Sequence, residues 1–565
     1  MLYNDLQCSN FTNLKLYRFN AVSRQKRRGK IMGAKVATFV ILAIYVTIMV
    51  GIGIYTSRRT KSTEDFMLGG RSVGSWLTAF SYGTTYFSAV VFIGYAGQFG
   101  WLYGISTAWV GIGNAIIGSL IPFFLLGRRT RLMTNHLGAK TMPEFFEHRF
   151  DSKALKTVSA AIVFIFLIPY TASVYNGLSR LFGMVFDLGE NGGTYIIIAM
   201  AILSAVYVTL GGYKATALND FFQGIIMLIG IATVVILTVH KKNGLTEAVD
   251  ALNIIADDKG KTNTLGSLFG PDPLNLLGVV ILTSLGTWGL PQMVQKFYAI
   301  KDEEAIKKGA IISTFFAIVV AGGSYFMGGF VRLYCTLNGE DGSGREVIKI
   351  QNGKPVYDTM VPALIKTALP NMLIGLIVVL VLSASLSTLS SLVLTSSSTL
   401  TNDLIKPRVK NFDDKKQMTF MRAFIAVFLI ISVIIACNKN ASISTLMSYS
   451  WGALSGAFLG PFLYGLFMKK TSRAAIWASF ITGVGISATH MVLFSMNISA
   501  FNDLKADIKS WGCSFNLLSP INAGAFAMIV SLLIVPIVSQ FTKAPEQKVV
   551  DNAFSSLEKA EAKKA

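Results

Sequence analysis

From about residue 35 to residue 541 the chain alternates between long apolar runs and short polar stretches. Each run holds roughly 20 residues, enough for a helix to cross the ~30 Å hydrocarbon core of a bilayer. The pattern predicts about thirteen spanning helices, near 35–56, 74–101, 104–127, 157–183, 194–210, 218–239, 275–298, 309–334, 371–402, 418–437, 446–468, 474–497 and 522–541. A spanning β-barrel would instead show short segments of alternating polarity. The class is an all-α polytopic membrane protein.

The polar stretches orient the helices. "SRRTKS" (57–62), "RRTR" (128–131), "KDEEAIKK" (301–308), "IKPRVK" (405–410) and the tail from Lys543 fall on one side of the predicted membrane. The loops 240–273 and 335–370 fall on the other, and their acids and bases nearly cancel. Basic loops stay in the cytoplasm, which puts the N-terminus outside and the C-terminus inside a cell membrane. The same bias accounts for the net charge of +21 in a chain that is 52% hydrophobic and 14% charged. No nucleic-acid partner is needed to explain it.

One segment breaks the rule. "LKLYRFNAVSRQKRRGK" is basic yet precedes the first span on the outer side, and Met32 stands directly before that span. The expectation is that 1–31 is a non-native or disordered extension, that 32–541 forms one membrane domain, and that 542–565 is a polar, solvated cytoplasmic tail. The four cysteines and four histidines show no metal-type spacing. Cys335 and Cys513 share the outer side, where a disulfide and two separate thiols both remain open.

Candidate chemistry begins at "LSASLSTLSSLVLTSSSTLTND" (382–403). On a helical wheel Ala384, Ser387, Thr388, Ser391, Thr395, Ser398 and Asn402 form one stripe, with Leu382, Leu386, Leu389, Val393 and Leu400 opposite. Hydroxyls in membrane helices also serve packing and bond back to their own carbonyls. A stripe this dense suits a cation: hard ions take several oxygens, and neutral ones release the ion again.

Such a site needs an opposing surface. "SWLTAFSYGTTYFSAVVFIGYAGQFGW" (75–101) carries Gly83 among hydroxyls, and "GVVILTSLGTWGLPQMVQKFYAI" (278–300) carries Gly286, Gly289 and Pro291 mid-helix. Both read as broken helices whose unwound backbone frees carbonyls and N–H groups. They lie five spans apart, the spacing of matching helices in a five-plus-five inverted repeat. Asp220 opens a later span, where a helix-capping role and an ion-binding role both fit.

These stretches resemble the sodium:solute symporter family. "DFMLGGRSVGSW", "YVTLGGYKA" (207–215), "GLPQMVQKFYAIKDEEAIKKG" and the hydroxyl-rich helix are each similar to family motifs, and the likeness runs from Met32 to about Gln540. Tyr213 departs from the usual apolar residue of the second motif. The resemblance implies a LeuT-type five-plus-five fold. It also implies a first Na⁺ site made by the carbonyls of Thr84, Phe87 and Ala384 with the hydroxyls of Ser387 and Thr388. Some members hold a second Na⁺ at positions matching Asp220, Ser387, Ser390 and Ser391. All four residues are present, so the expectation is two Na⁺ per solute.

The implied function is Na⁺-driven import of a small organic solute by alternating access. Sugar-carrying members place polar residues where Val90 and Val91 stand, which argues against a hexose. A proline carrier would have Asp at Tyr86. The stretch "TTYFSAVVFIGYAGQFG" looks closest to the pantothenate, iodide and monocarboxylate branch, pointing to an organic anion or amino-acid-like compound. Expected lining residues are Thr85, Tyr86, Ser88, Val91, Gln98, Tyr175, Asn176, Trp288, Gln292 and Ser450. No enzymatic constellation is evident and no obligate protein partner is implied. A proton-coupled carrier of the same fold and a membrane solute sensor are the competing readings.

Overall fold

A computed structural model describes residues 38–562, apart from 59, 61, 187–191, 338–343, 352, 371–372, 439–441 and 497. The expectations for residues 1–31 lie outside the described residues.

Helices dominate, and their starts follow local chemistry. Those beginning at Lys153, Glu303, Asp414, Ile443 and Arg473 are preceded by Ser152, Asp302, Asp413, Ser442 and Ser472, whose side-chain oxygens each accept a first-turn N–H. Among the described residues, nine helices are long and apolar enough to span a membrane, and a bent pair makes a tenth. Two of the nine, Val90–His136 and Gly192–His240, run to 47 and 49 residues. At 1.5 Å per residue each would be about 70 Å long if straight, more than twice the hydrocarbon core, but the first breaks at Gly104 (φ 62°, ψ −142°). The second breaks at Gly212, whose φ of 57° and ψ of −152° lie outside the helical region. A Cβ there would strike Phe66, so this backbone and this contact both require glycine.

The hydroxyl-rich segment forms the helix Ile374–Thr399 and is the centre of the bundle. Of its most apolar stretch 94% is buried, against 22% for Thr38–Ser57 and 33% for Asp414–Cys437. Those two face lipid on most sides, as their exposed Phe39, Ile44, Ile430 and Ile434 show.

Two helices are interrupted near it. The first runs Ser75–Tyr86, leaves helical geometry at Phe87 (φ −105°, ψ 91°) and resumes at Val90. The second runs Pro273–Leu285, tightens over Gly286–Trp288, and restarts at Pro291 after an extended Leu290. The residue before a proline avoids helical ψ, and proline itself suits the first helical position. The halves meet at 40°.

The loop 335–370 carries a short parallel pair, Cys335–Thr336 with Glu346–Val347, and a small antiparallel pair, Ile350–Gln351 with Lys354–Pro355. Cys335 is a buried thiol and Cys513 an exposed one, and neither is in a disulfide. The C-terminal tail differs from the solvated end expected of it. Gln547–Ala562 is a helix that buries Val550, Ala553, Phe554 and Leu557. These residues recur every three or four positions and so share one face. The Arg149 guanidinium lies 4.9 Å from the Phe554 ring centroid, and Lys469 pairs with Glu558 at 2.6 Å.

Candidate cation and solute site

The central helix meets the first broken helix at its break. The Ser387 hydroxyl donates to the carbonyls of Thr84 and Ala384, each at 3.0 Å. The Thr388 hydroxyl lies 3.2, 3.1 and 3.1 Å from the carbonyls of Thr84, Thr85 and Ala384. Five neutral oxygens thus converge from two segments some 300 residues apart in sequence. Oxygens held at roughly 2.4 Å from a hard cation lie about 3.3 Å or more from their neighbours. The cluster needs to expand by only a few tenths of an ångström to accept such an ion, with the hydroxyl protons turning away. Phe87 sits at the same break as the C-cap of Ser75–Tyr86, and its side chain lines a small cavity together with Ala384. Thr85 adds a carbonyl that the sequence reading did not include.

One turn further along, the chemistry changes. The Ser391 hydroxyl is 2.8 Å from that of Thr85 and accepts from the Lys296 ammonium at 2.9 Å. Lys296 also donates to Ser81 at 2.8 Å, and Ser81 donates to the Asp220 carboxylate at 2.6 Å. Every member of this cluster is buried. The four residues expected at a second ion site therefore divide. Asp220 and Ser391 are joined through Ser81 and Lys296, Ser387 serves the first cluster, and Ser390 bonds back to the Ser387 carbonyl at 2.8 Å.

The rest of the stripe continues toward a charged network. Thr395 donates to Gln295 at 2.7 Å, and Asn402 donates to Glu144 at 2.5 Å. Lys156 reaches Glu147 at 2.8 Å, Glu144 at 3.6 Å and Asp403 at 3.8 Å. The wheel stripe is a continuous polar seam from the broken helix to this end of the bundle.

The expected solute-lining residues fall into two groups. Tyr86, Ser88 and Val91 gather beside the break. The Tyr86 ring stacks on Phe87 at 4.2 Å and on Trp451 at 6.1 Å, and Tyr170 meets Trp451 edge-on at 5.9 Å. Tyr175 and Asn176 are buried on Lys153–Val185, the helix that also carries Tyr170. Others bond elsewhere: Trp288 to the Ile117 carbonyl, Ser450 to that of Phe166, Gln98 to Ser444, and Thr85 to Ser391. Gln292 is buried, and its carbonyl oxygen has no hydrogen-bond partner. A cavity of about 10 Å³ lies beside the break, bounded by Phe87, Ser88, Val91, Met227, Leu380 and Ala384. That is about one water molecule, so the bundle is closed around this point.

Sequence reasoning missed Lys296, Ser81, Trp451 and Tyr170. Lys296 did carry a signal, as a lone charge inside a segment placed at membrane depth. Ser81 lay two residues before Gly83 on the first broken helix, within the quoted stretch but unmarked. The two aromatics could not be told from ordinary packing residues.

The sodium:solute symporter family profile matches residues 66–483. The chain is 28% identical over 522 residues to the sodium/proline symporters of several Staphylococcus aureus strains, covering 90% of this chain and 93% of theirs. Its fold is similar to that of a substrate-bound, outward-open Na⁺-coupled sialic acid symporter, with a TM-score of 0.63 and 17% identity over 90% of this chain and 99% of that one. It is also similar to the nucleobase-cation symporter Mhp1 in a closed conformation, with a TM-score of 0.50 and 13% identity over 86% and 97%. The likeness to these transporters matches the LeuT-type fold implied by the sequence.

Proposed function

We propose, for a chain that belongs to the sodium:solute symporter family, that Na⁺ binds where Thr84, Thr85, Ala384, Ser387 and Thr388 converge and thereby assembles the solute site beside it. The family and its Na⁺-coupled relatives establish Na⁺-coupled symport of a small molecule across a membrane, and the chain is not an enzyme. The observation that carries the finer reading is the convergence of five neutral oxygens across the Phe87 break at 3.0–3.2 Å. Without charge of its own, this set gains from a cation and can still release it.

Bound Na⁺ locks the central helix against the first broken helix. That fixes Tyr86, Phe87 and Ser88, and with them the wall shared with Trp451 and Tyr170. The solute is an amino-acid-like compound or organic anion whose apolar part packs on those rings. Its carboxylate faces the N–H groups of Ser88 and Ala89, just past Phe87, whose own N–H bonds to the Gly83 carbonyl, and lies next to the Na⁺ charge. The named proline symporters are consistent with this size and charge, although Tyr86 stands where a proline carrier would have Asp. The basic loops face the cytoplasm, so Na⁺ runs inward down its gradient. Each charge moved contributes about 2.3 kcal/mol per 100 mV. Linkage requires that Na⁺ tighten solute binding and solute tighten Na⁺ binding by the same factor.

The test is uptake into proteoliposomes under an imposed Na⁺ gradient, screening proline, pantothenate, short monocarboxylates and sialic acid. Na⁺-dependent accumulation of one class, absent in potassium-only buffer, is the expected result. Equal accumulation without Na⁺ overturns the reading and favours a proton-coupled carrier.

A further inference from the structure

The second cluster already contains a cation. Lys296 lies in the second half of the second broken helix, Pro291–Ala299, and is 1% exposed. Its ammonium donates to Ser81 on the first broken helix and to Ser391 on the central helix, at 2.8 and 2.9 Å. The Tyr213 ring centroid lies 5.1 Å from Nζ, a cation–π distance. The ammonium is therefore held by two hydroxyl oxygens and an aromatic face, with Asp220 one hydrogen bond away through Ser81.

The charges match only as a pair. Asp220 is fully buried, and its second carboxylate oxygen has no hydrogen-bond partner. A buried carboxylate so lightly bonded needs a compensating positive charge nearby, and Lys296 supplies it. A Na⁺ ion in the same cluster would lie roughly 4 Å from the ammonium. At an effective dielectric constant of about 20, that repulsion weakens ion binding on the order of a thousandfold.

We propose that the Lys296 ammonium is a tethered cation filling the Asp220–Ser81–Ser391 site, so that each transport cycle carries one Na⁺, at the Thr84–Ala384–Ser387–Thr388 site. This rests on the reading of the latter cluster as the Na⁺ site. It replaces the expectation of two Na⁺ ions. The tether also has a mechanical consequence. A dissociable ion would leave the three helices free to part on its release, whereas Lys296 keeps its charge on the second broken helix throughout the cycle. Ion release then unlocks only the Thr84–Ala384–Ser387–Thr388 cluster.

The experiment is equilibrium binding of radiolabelled Na⁺ to the purified full-length chain in nanodiscs, with K⁺ as the control ion. The wild type is expected to bind one Na⁺ per chain with a Hill slope near 1. K296M and K296Q are expected to bind two, with a slope well above 1, and D220N/K296M to return to one. Two Na⁺ on the wild type overturn the proposal, and so does one Na⁺ on a monodisperse K296M. If K296M fails to fold, the wild-type stoichiometry decides: one, kept by D220N/K296M, supports the tether, and two overturns it. Failure of the underlying reading looks different: Na⁺ binding is then absent from the wild type or unaffected in S387A/T388A.

Discussion

Between Thr388 and Ser391, one turn of the central helix, the oxygen chemistry changes in kind. The upper cluster is five neutral oxygens from two helices, its two hydroxyls each 3.0–3.2 Å from two or three carbonyls, and its charge must arrive with the ion. The lower cluster draws on four helices and carries an acid and an ammonium of its own. Both lie on the same hydroxyl stripe, so the stripe alone does not make a transported-ion site. What distinguishes them is whether the opposing helix offers backbone carbonyls or a charged side chain. A neutral set is built to exchange its ion. A self-compensated set is built to stay whole.

The comparison breaks most sharply at the upper cluster. S387A/T388A removes two of its five oxygens, and a hydrogen bond to a charged partner contributes about 1.5–3 kcal/mol. Na⁺-driven uptake should be lost, or its Na⁺ half-saturation raised at least about 100-fold, with folded yield unchanged. A shift below threefold would remove the upper cluster as the coupling site.

The next effect falls on stability rather than ion affinity. D220N leaves the Lys296 ammonium buried without its counter-charge, a loss of about 3–5 kcal/mol. A large drop in melting temperature in detergent is expected, and D220N/K296M, which removes both charges, should recover most of it. If the double variant melts no higher than the single, the two residues are not a pair.

G212A sharpens the same contrast from a distance. Gly212 sets the bend two turns ahead of Asp220, and its φ of 57° with ψ of −152° costs a side-chain residue about 1–3 kcal/mol before the contact with Phe66 is counted. The melting temperature should fall by several degrees, while Na⁺ half-saturation of the folded fraction stays within about twofold. A large loss of Na⁺ affinity would show that the two clusters are not separable.

The smallest effect tests a buried carboxyl outside both clusters. Asp358, in the turn Tyr357–Thr359, accepts the Ile443 N–H at 3.3 Å. Burial pushes its carboxyl up to about 6, against the pull of Arg180. The folded contact therefore holds a proton that a solvated Asp, with a pKa near 4, would lose. Its stability is greatest at low pH and falls as pH rises through about 6. Normalised to a free thiol, whose thiolate fraction itself falls about 30-fold from pH 6.5 to pH 5, labelling of a cysteine at S444C should slow by a further factor of about five, and D358N should flatten that normalised profile. An unchanged profile in D358N would place the titrating group elsewhere.

Much of this was legible in the residues. The apolar runs mark spanning helices because a bilayer leaves a chain few other ways to satisfy its backbone. Gly289 and Pro291 marked their break because proline and glycine act within one or two residues of themselves, whereas Gly83 sits inside the helix Ser75–Tyr86, four residues before the break at Phe87, where its missing side chain makes room for Phe316. The stripe Ala384–Ser387–Thr388–Ser391 was visible because helical period is a local property. Ser390, one position off that stripe, bonds back to its own helix.

Lys296 marks where that legibility ended. In sequence it precedes "DEEAIKK" and reads as the basic end of a helix. Its role depends on Ser81, Asp220 and Ser391, which lie 215, 76 and 95 residues away, respectively. The tail shows the same limit from the other side. Val550, Phe554 and Leu557 have the spacing of an apolar face, but the surface they cover is built from helices 128–136 and 142–150. Sequence by itself determined the membrane class, the broken helices and the hydroxyl face, because each follows from local backbone chemistry or from the solvent the chain must enter. Only tertiary structure decided which oxygens face carbonyls and which face an ammonium, because electrostatic partners are chosen by proximity in space.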